Sequence, residues 1–319
     1  MALPTISRGR DLLASLIGSL PIRQYGTQWD GENVVEIPLP PEPWMLRPEL
    51  RTTRSHTLAW TFDDLLFHGR AYWYVTKRYA PNGDRPVGFP AEFQWLPAYM
   101  VNMEAALFAG NVPIGDYTLS LNGQNIPTRD VIVFYSPNSP LLTVGARAII
   151  TAERLDRASQ RFATTPAAFG WLEQTEGDLL DDDYLSDVAQ GWQDARDSDA
   201  IAALGRGWKW NESDMDPSRL QLVEARQHQA LELARLVNVH PALVGAPTGS
   251  GMTYNNVRDA RQQLAQDALP FIEVIEQTLS SDAVTPRGRI VKLDRSAWTS
   301  DPLDMSTNQP TPQPQEQTV

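Results

Sequence analysis

Few residues of this chain have the type and spacing that catalysis or metal binding needs. The sequence contains four histidines, and no two of them are four residues apart, as two metal ligands on one helical face would be. It contains no cysteine, which excludes thiolate nucleophiles, disulfides and cysteine-based zinc sites. We therefore expect structural roles for the histidines, which are His56, His68, His228 and His240.

A run of carboxylates is the next candidate for chemistry. Asp181, Asp182 and Asp183, together with Asp178, could hold a magnesium ion in a metal-dependent hydrolase. Neighbouring side chains at the start of a helix point in different directions, however, and carboxylates there are stabilised by the helix dipole. We interpret the run as a helix N-terminus and expect neither a metal nor a cofactor.

Nucleotide-binding and nucleophile motifs are missing from the sequence. The segment Gly205-Arg206-Gly207 lacks the third glycine and the following helix of a dinucleotide fingerprint. No P-loop Gly-Lys-Ser or Gly-Lys-Thr occurs, and no serine lies in a Gly-x-Ser-x-Gly elbow. The sequence therefore predicts a protein that is not an enzyme.

One segment is rich in glycine and small polar residues and has two interpretations. It could be a simple connector between helices, or a mobile element placed where a partner passes, since glycines give low stiffness and little bulk. The residues are Gly245, Ala246, Pro247, Thr248, Gly249, Ser250 and Gly251.

The elements before this loop begin with an α+β unit over residues 1–143. Residues 1–20 predict an amphipathic helix rather than a signal peptide, because charges interrupt the apolar run. Helical spacing of apolar residues predicts a helix over residues 51–69. Strands are predicted at residues 71–79, 92–96, 117–121 and 131–135, with tight turns after residue 80 and at Asn122-Gly123.

A long helix over residues 145–162 follows, and then a small β-α-β insert over residues 165–215. The insert is predicted to contain strands at 168–173, 201–204 and 208–210 around an acidic helix at 181–197. We expect that helix to bury a stripe formed by Tyr184, Leu185, Val188 and Trp192.

Asp216-Pro217 is a favourable start for a second long helix, which ends near His240-Pro241. A third helix over residues 253–279 contains Pro270, which predicts a kink. Residues 289–293 predict a strand that pairs with one from the first unit, and the tail after residue 299 is predicted to be disordered. A narrow apolar seam marks the second helix: Leu220, Val223, Leu231, Ala234 and Val237.

The composition limits the kind of partner. The chain has 319 residues and a net charge of −12, which argues against gripping nucleic acid through phosphate neutralisation. An acidic wall would suit DNA that slides past without being held. No stretch has the roughly 18–20 uncharged apolar residues that a membrane span needs.

The order of these elements resembles that of the portal proteins of tailed bacteriophages. Residues 233–245, LARLVNVHPALVG, are similar to that family's helix end with a V-P-P-x-L-x-G element, in which His240 here replaces the first proline. Residues 253–256, TYNN, and residues 269–279, LPFIEVIEQTL, are similar to the start and the proline-containing part of the next helix. Residues 139–141 and 162–172 agree with the two ends of the first long helix.

The resemblance implies a portal fold of the α+β class, with wing, stem and clip domains and almost no crown. It implies a loop that faces a channel for DNA, at residues 242–253. The implied domains are the wing (1–143 and 254–300), the stem helices (144–164 and 216–241), the clip (165–215) and a disordered tail (301–319).

The resemblance also implies partners and a location. The subunits would form a ring, usually of twelve, at one capsid vertex of the virion, assembled in the bacterial host cytoplasm. Expected partners are double-stranded DNA, the terminase large subunit, the major capsid protein with its scaffold, and a head–tail connector protein, with no membrane. Two alternatives stay open: another structural or adaptor protein of a phage particle, and the hydrolase considered above.

Overall fold

The computed structural model describes residues 3–81, 87–164, 170–176, 181–197, 207–212, 221–246 and 254–296. The chain divides into two compact units, with boundaries after Ala146 and Leu233. The smaller unit comprises residues 147–233 and the larger unit the residues before and after them.

Helices and strands both contribute to the larger unit, in agreement with the predicted α+β class. The α-helices of the described residues are α1 (Pro4–Ser19), α2 (Pro43–Leu46), α3 (Arg54–Phe67), α4 (Leu141–Val144), α5 (Ala146–Thr164), α6 (Asp182–Asp197), α7 (Leu222–Val237) and α8 (Tyr254–Leu279). The strands are β1 (Ile22–Trp29), β2 (Val34–Leu39), β3 (Arg70–Arg78), β4 (Pro90–Leu96), β5 (Val101–Ala109), β6 (Val112–Leu121), β7 (Gln124–Ile126), β8 (Val131–Tyr135), β9 (Gly170–Gln174), β10 (Trp208–Glu212) and β11 (Arg289–Leu293).

Three antiparallel sheets of three strands each lie in the larger unit, in the orders β11-β1-β2, β4-β3-β8 and β5-β6-β7. The late strand β11 pairs with β1, with Ile22 opposite Leu293 and Tyr25 opposite Ile290. The prediction that residues 289–293 form a strand that pairs with a strand of the first unit is therefore confirmed. The strand that accepts it, β1, was not predicted from the sequence.

Helix α3 and strand β3 form the centre of the main core. The side chain of Thr53 accepts a hydrogen bond from the backbone N–H of His56 and so caps the start of α3. Gly69, at a φ of +74°, allows the chain to turn directly from this helix into β3. The indole of Trp73 is fully buried there, and its Nε1 donates to the Thr61 hydroxyl at 2.7 Å.

Helix α8 brings the last part of the chain onto this core. The Phe271 ring meets the Phe62 ring edge to face, with 5.0 Å between the centroids. The helix runs on through Pro270 without interruption. Pro270 has no N–H to donate to the carbonyl oxygen of Gln266, four residues earlier. Gln266 is exposed, so water can donate to that oxygen instead. The kink at Pro270 stays a prediction.

In the smaller unit β9 and β10 pair antiparallel, with α6 between them in the sequence, as predicted for the first and last strands of the β-α-β insert. The predicted strand at residues 201–204 lies outside the described residues. Trp192 of α6 packs against Trp210 of β10, with 5.3 Å between the rings. The predicted buried stripe was wrong for Tyr184 and Leu185, which are 52% and 39% exposed. Two five-residue strands reach about 16 Å, whereas a 16-residue helix is about 24 Å long, so the sheet covers only part of it.

Candidate functional site

The described part of the predicted loop begins at a tightly defined helix end. Helix α7 ends at Val237, and Asn238 adopts a left-handed conformation with a φ of +57°. The N–H of Val239 donates to the carbonyl of Ala234 at 3.0 Å, and the N–H of Asn238 donates to that of Arg235 at 3.0 Å. This arrangement satisfies the last carbonyl groups of the helix and reverses the chain there.

A short 3-10 turn, Pro241–Val244, then leads into the loop. The imidazole Nδ1 of His240 accepts from the N–H of Ala242 at 3.3 Å, which caps the turn. Gly245 ends it at a φ of +73°, where other residues are strained, and the N–H of Ala246 closes back on the Pro241 carbonyl at 3.0 Å. Gly245 is exposed and Ala246 is buried, so the loop starts from a fixed base.

Helix α1 packs against the end of α7, next to the start of the loop. A Cβ on Gly9 would lie 3.0 Å from Cγ1 of Val237, so a larger residue here would require Val237 to shift by a few tenths of an ångström. Val237 and Val239 are both buried. The amphipathic helix predicted for the start of the chain therefore packs beneath the end of α7.

Asp267 on α8 links the segments on either side of the loop. Its carboxylate accepts from Nε2 of Gln263 at 2.9 Å and from the side chain of Asn238. Burial raises the pKa of Asp267, while these two hydrogen bonds and the nearby His240 oppose the rise. Sequence reasoning missed this contact, although an asparagine directly after a helical run is a recognisable signal of a left-handed helix end.

In the smaller unit, α5 and α7 lie against each other in antiparallel directions. Nε2 of Gln229 donates to the carbonyl of Ala148 at 2.9 Å. Further along the pair, Arg226 forms an ion pair with Asp156 at 3.0 Å. As the residue number rises on α5 it falls on α7, which defines a helical hairpin.

Comparison with known proteins identifies the family. A sequence profile of the phage portal protein family matches residues 4–308. This chain belongs to the phage portal protein family. The match covers both units and the helical hairpin.

Solved structures share the portal fold. The chain is similar to an HK97 family phage portal protein from Corynebacterium diphtheriae, with a TM-score of 0.68 and 24% identity, over 92% of this chain and 93% of that one. It is also similar to a chain in the neck of the native GTA particle, computed with C12 symmetry, with a TM-score of 0.57 and 17% identity, over 92% and 81% of the two chains. A search of curated protein sequences found no match.

The apolar seam predicted for the second long helix divides into two parts. Ala234 and Val237 are buried in the larger unit. Leu231 is half-buried, whereas Val223 is 66% exposed. Leu220, like loop residues Pro247, Thr248, Gly249, Ser250 and Gly251, lies outside the described residues.

The alternative hydrolase site gains no support from the structure. Asp181 and Asp183 are exposed, and Asp178 lies outside the described residues. Within the described ranges, no three histidine or carboxylate side chains are grouped as metal ligands would be. Nor does any helix in the described part of this portal protein have the length and apolarity to cross a membrane.

Proposed function

We propose that this portal protein forms a ring of twelve subunits at one capsid vertex, through which DNA enters and leaves the particle. The observation that carries the proposal is the portal family match over residues 4–308. The C12 symmetry of the similar GTA neck supports the ring and its subunit number. Such an interface is heterologous, because each subunit presents one face to the neighbour on its left and another to the neighbour on its right.

We assign the parts of the two units to different domains of the portal fold. The sheets and α8 of the larger unit would form the wing, the hairpin of α5 and α7 the stem, and the β-α-β insert the clip. The segment after Gly245 would line the channel, as membership of the portal family implies. Its start is held by hydrogen bonds from the N–H groups of Gly245 and Ala246 to the carbonyls of Ala242 and Pro241. The proposed ranges are the wing (1–143 and 254–300), stem (144–164 and 216–241), clip (165–215) and tunnel loop (242–253).

The proposed mechanism involves no reaction catalysed by this chain. The terminase large subunit would dock on the clip and hydrolyse ATP, and a head–tail connector protein would replace it when packaging ends. The capsid protein and its scaffold would hold the wing. These contacts place the protein in the virion, after assembly in the host cytoplasm.

Charge is expected to assist passage of the DNA. A net charge of −12 per subunit, repeated around a ring, gives a mostly negative channel wall. A lysine or arginine that bound a phosphate would create an energy minimum that slows the DNA. A wall that repels phosphate therefore lets the duplex slide. A basic wall in the assembled ring would contradict this part of the proposal.

Electron microscopy of the purified protein tests the ring. We expect closed rings whose central hole is close to the width of a DNA duplex. Particle mass in solution should correspond to about twelve copies of the 35.6 kDa subunit. Monomers or hollow shells would instead favour another structural protein of the particle.

Deletion of residues 248–251 tests the tunnel loop. We expect rings to assemble as in the unaltered protein, because the base of the loop at Gly245 and Ala246 is retained, and packaging of DNA to fall severalfold. Deletion of residues 316–319, in the tail, is the control of equal length. Packaging that is unchanged by the loop deletion would show that the loop is only a connector.

A further inference from the structure

Helix α5 has two faces of opposite character. The face toward α7 contains the buried Ala152 and the carbonyl of Ala148 that accepts from α7. On the opposite side, residues seven apart share a direction. That outer face presents Arg147 and Arg154, with Ile150 between them at 49% exposure.

Arg147 and Arg154, on the outer face, have no ion-pair partner among the described residues. Arg157, which lies seven residues after Ile150 on the same face, is paired with Glu153 at 2.6 Å. Arg147 and Arg154 are exposed, and the side chains of these two form no ion pair or hydrogen bond with any other residue that the structure describes. Both carboxylates of this part of the helix, Glu153 and Asp156, are paired. The outer face is therefore basic, with an exposed isoleucine at its centre.

Helix α7 presents a complementary face. Gln229 points toward α5, and on the side away from it lie Glu224, which is exposed, and Leu231, which is half-buried. Val223 lies beside them at 66% exposure. Gln227 and His228, both exposed, lie between Glu224 and Leu231 on this side, so the face combines apolar side chains with polar ones and with a carboxylate that has no ion-pair partner among the described residues. The outer face of α5 combines one isoleucine with guanidinium groups.

The heights of the two faces also match. The hydrogen bond between Gln229 and Ala148 places these residues level with each other in the antiparallel hairpin. With a rise of about 1.5 Å per residue in both helices, this contact puts Arg154 level with Val223, whereas the ion pair between Arg226 and Asp156 puts it level with His228. Glu224 lies between these two levels, so a carboxylate and a guanidinium stand at nearly the same height on opposite sides of the hairpin.

We propose that the outer face of α5 in one subunit packs on the outer face of α7 in the next, with Arg154 paired to Glu224 and Ile150 against Val223 and Leu231. The inference rests on the proposed function, in which the hairpin runs along the ring axis. Rotation about that axis preserves height, so groups that are level within one subunit meet between neighbours. Two different faces per subunit are what a closed heterologous ring requires.

Duplex DNA is the other partner that an arginine row could bind, and the observations favour the protein neighbour. A phosphate backbone offers nothing to the exposed Ile150, whereas a protein interface uses both apolar side chains and arginine.

Charge reversal tests the pairing. Arg154→Glu and Glu224→Arg each place like charges across the interface at every contact of the ring. We expect each single variant to need at least tenfold more protein for half of the chains to be in rings, measured by mass photometry, and the double variant to recover most of that loss. Arg8→Glu, an exposed arginine on another helix, is the matched control and should assemble as the unaltered protein does.

Circular dichroism of each variant confirms that the subunit is folded before assembly is compared. Single variants that form rings normally, from a parent that forms rings, would overturn the pairing and leave the proposed function intact. Normal rings that retain packaged DNA less well would reassign Arg154 to DNA and equally overturn it. A parent protein that forms no rings would refute the proposed function, and this inference with it.

Discussion

Replacing Trp73 by alanine is expected to lower the free energy of unfolding by about 3–5 kcal/mol, the range for loss of a large buried aromatic side chain. The indole is fully buried, and its ring lies 5.2 Å from that of Phe93 and 5.1 Å from that of Phe134. The variant loses these contacts, leaves a cavity, and removes the donor that binds the Thr61 hydroxyl. The effect is large because this one side chain joins α3, β4 and β8 to β3.

The matched control is Trp29→Ala, since Trp29 is 63% exposed at the end of β1. It should cost less than about 1 kcal/mol, because little area is removed from contact with the protein. Urea unfolding of the purified subunits, followed by far-ultraviolet circular dichroism, measures both. Equal losses for the two tryptophans would show that the core around β3 is not the main source of stability.

The parts of this fold that the sequence predicts well are those in which local preference and burial agree. The strands β8 (Val131–Tyr135) and β11 (Arg289–Leu293) match their predicted ranges residue for residue. Each is a short β-branched or aromatic run next to turn residues, and in each the buried positions face a core. Helix α3 is similar, because its apolar spacing and its closing glycine both indicate the same element.

The strands that were missed are those whose burial pattern does not alternate. Every residue of β2 except its last is exposed, so hydropathy along it contains no period of two. In β1 the buried position after Ile22 is occupied by Gln24, a polar residue that hides the pattern. Strand β5 was missed, and of β6 only residues 117–121 were predicted; their hairpin exposes Leu107 and Ile114. Pairing between strands, rather than local preference, determines these elements.

The candidate site, too, has parts that the sequence predicts and parts that it does not. Glycine and proline spacing predicts where the loop begins, because these residues act locally on the backbone. The contact between Asn238 and Asp267 joins the residue after α7 to α8 across the loop, and no local sequence pattern predicts it. The apolar seam was read as one surface, yet Val223 is exposed and Ala234 is buried, because different neighbours cover the two ends of α7.

The acidic composition and the arginines of α5 are consistent with both the proposed channel and the proposed contact between subunits. If Arg154 faces the next subunit, the pair that it forms with Glu224 lies in the subunit interface. That pair is neutral, so the net charge of −12 is carried by the rest of the subunit.

Asp64→Asn is expected to remove a pH dependence from the stability of the subunit. Asp64 is 4% exposed, and its Oδ2 accepts from Nε1 of Trp95 at 2.9 Å and from the N–H of Ala98 at 3.1 Å. Burial raises the pKa of this carboxyl to about 7, with a smaller contribution from the charge of Asp63, and the two hydrogen bonds oppose the rise. In the unfolded chain the pKa is close to 3.8.

The direction of the effect follows from proton binding. Between pH 3.8 and 7 the folded protein keeps a proton on Asp64 that the unfolded chain has lost, so stability falls as pH rises through this window and is level above it. About three pH units at about 1.4 kcal/mol each give a loss of up to about 4 kcal/mol. Asparagine retains the acceptor oxygen and cannot ionise.

The variant and the unaltered protein should therefore have similar stability near pH 4 and differ by about 3 kcal/mol at pH 8, in favour of asparagine. Urea unfolding at several pH values measures the difference. Asp30→Asn is the control, because hydrogen bonds from the N–H groups of Asn33 and Glu32 lower the pKa of that exposed carboxyl. Its contribution is present above the ordinary pKa and is lost only at lower pH, so Asp30→Asn should leave the slope between pH 4 and 7 unchanged. A slope that persists in Asp64→Asn would mean that Asp64 is ionised in the folded protein throughout this range, and that its two hydrogen bonds outweigh its burial.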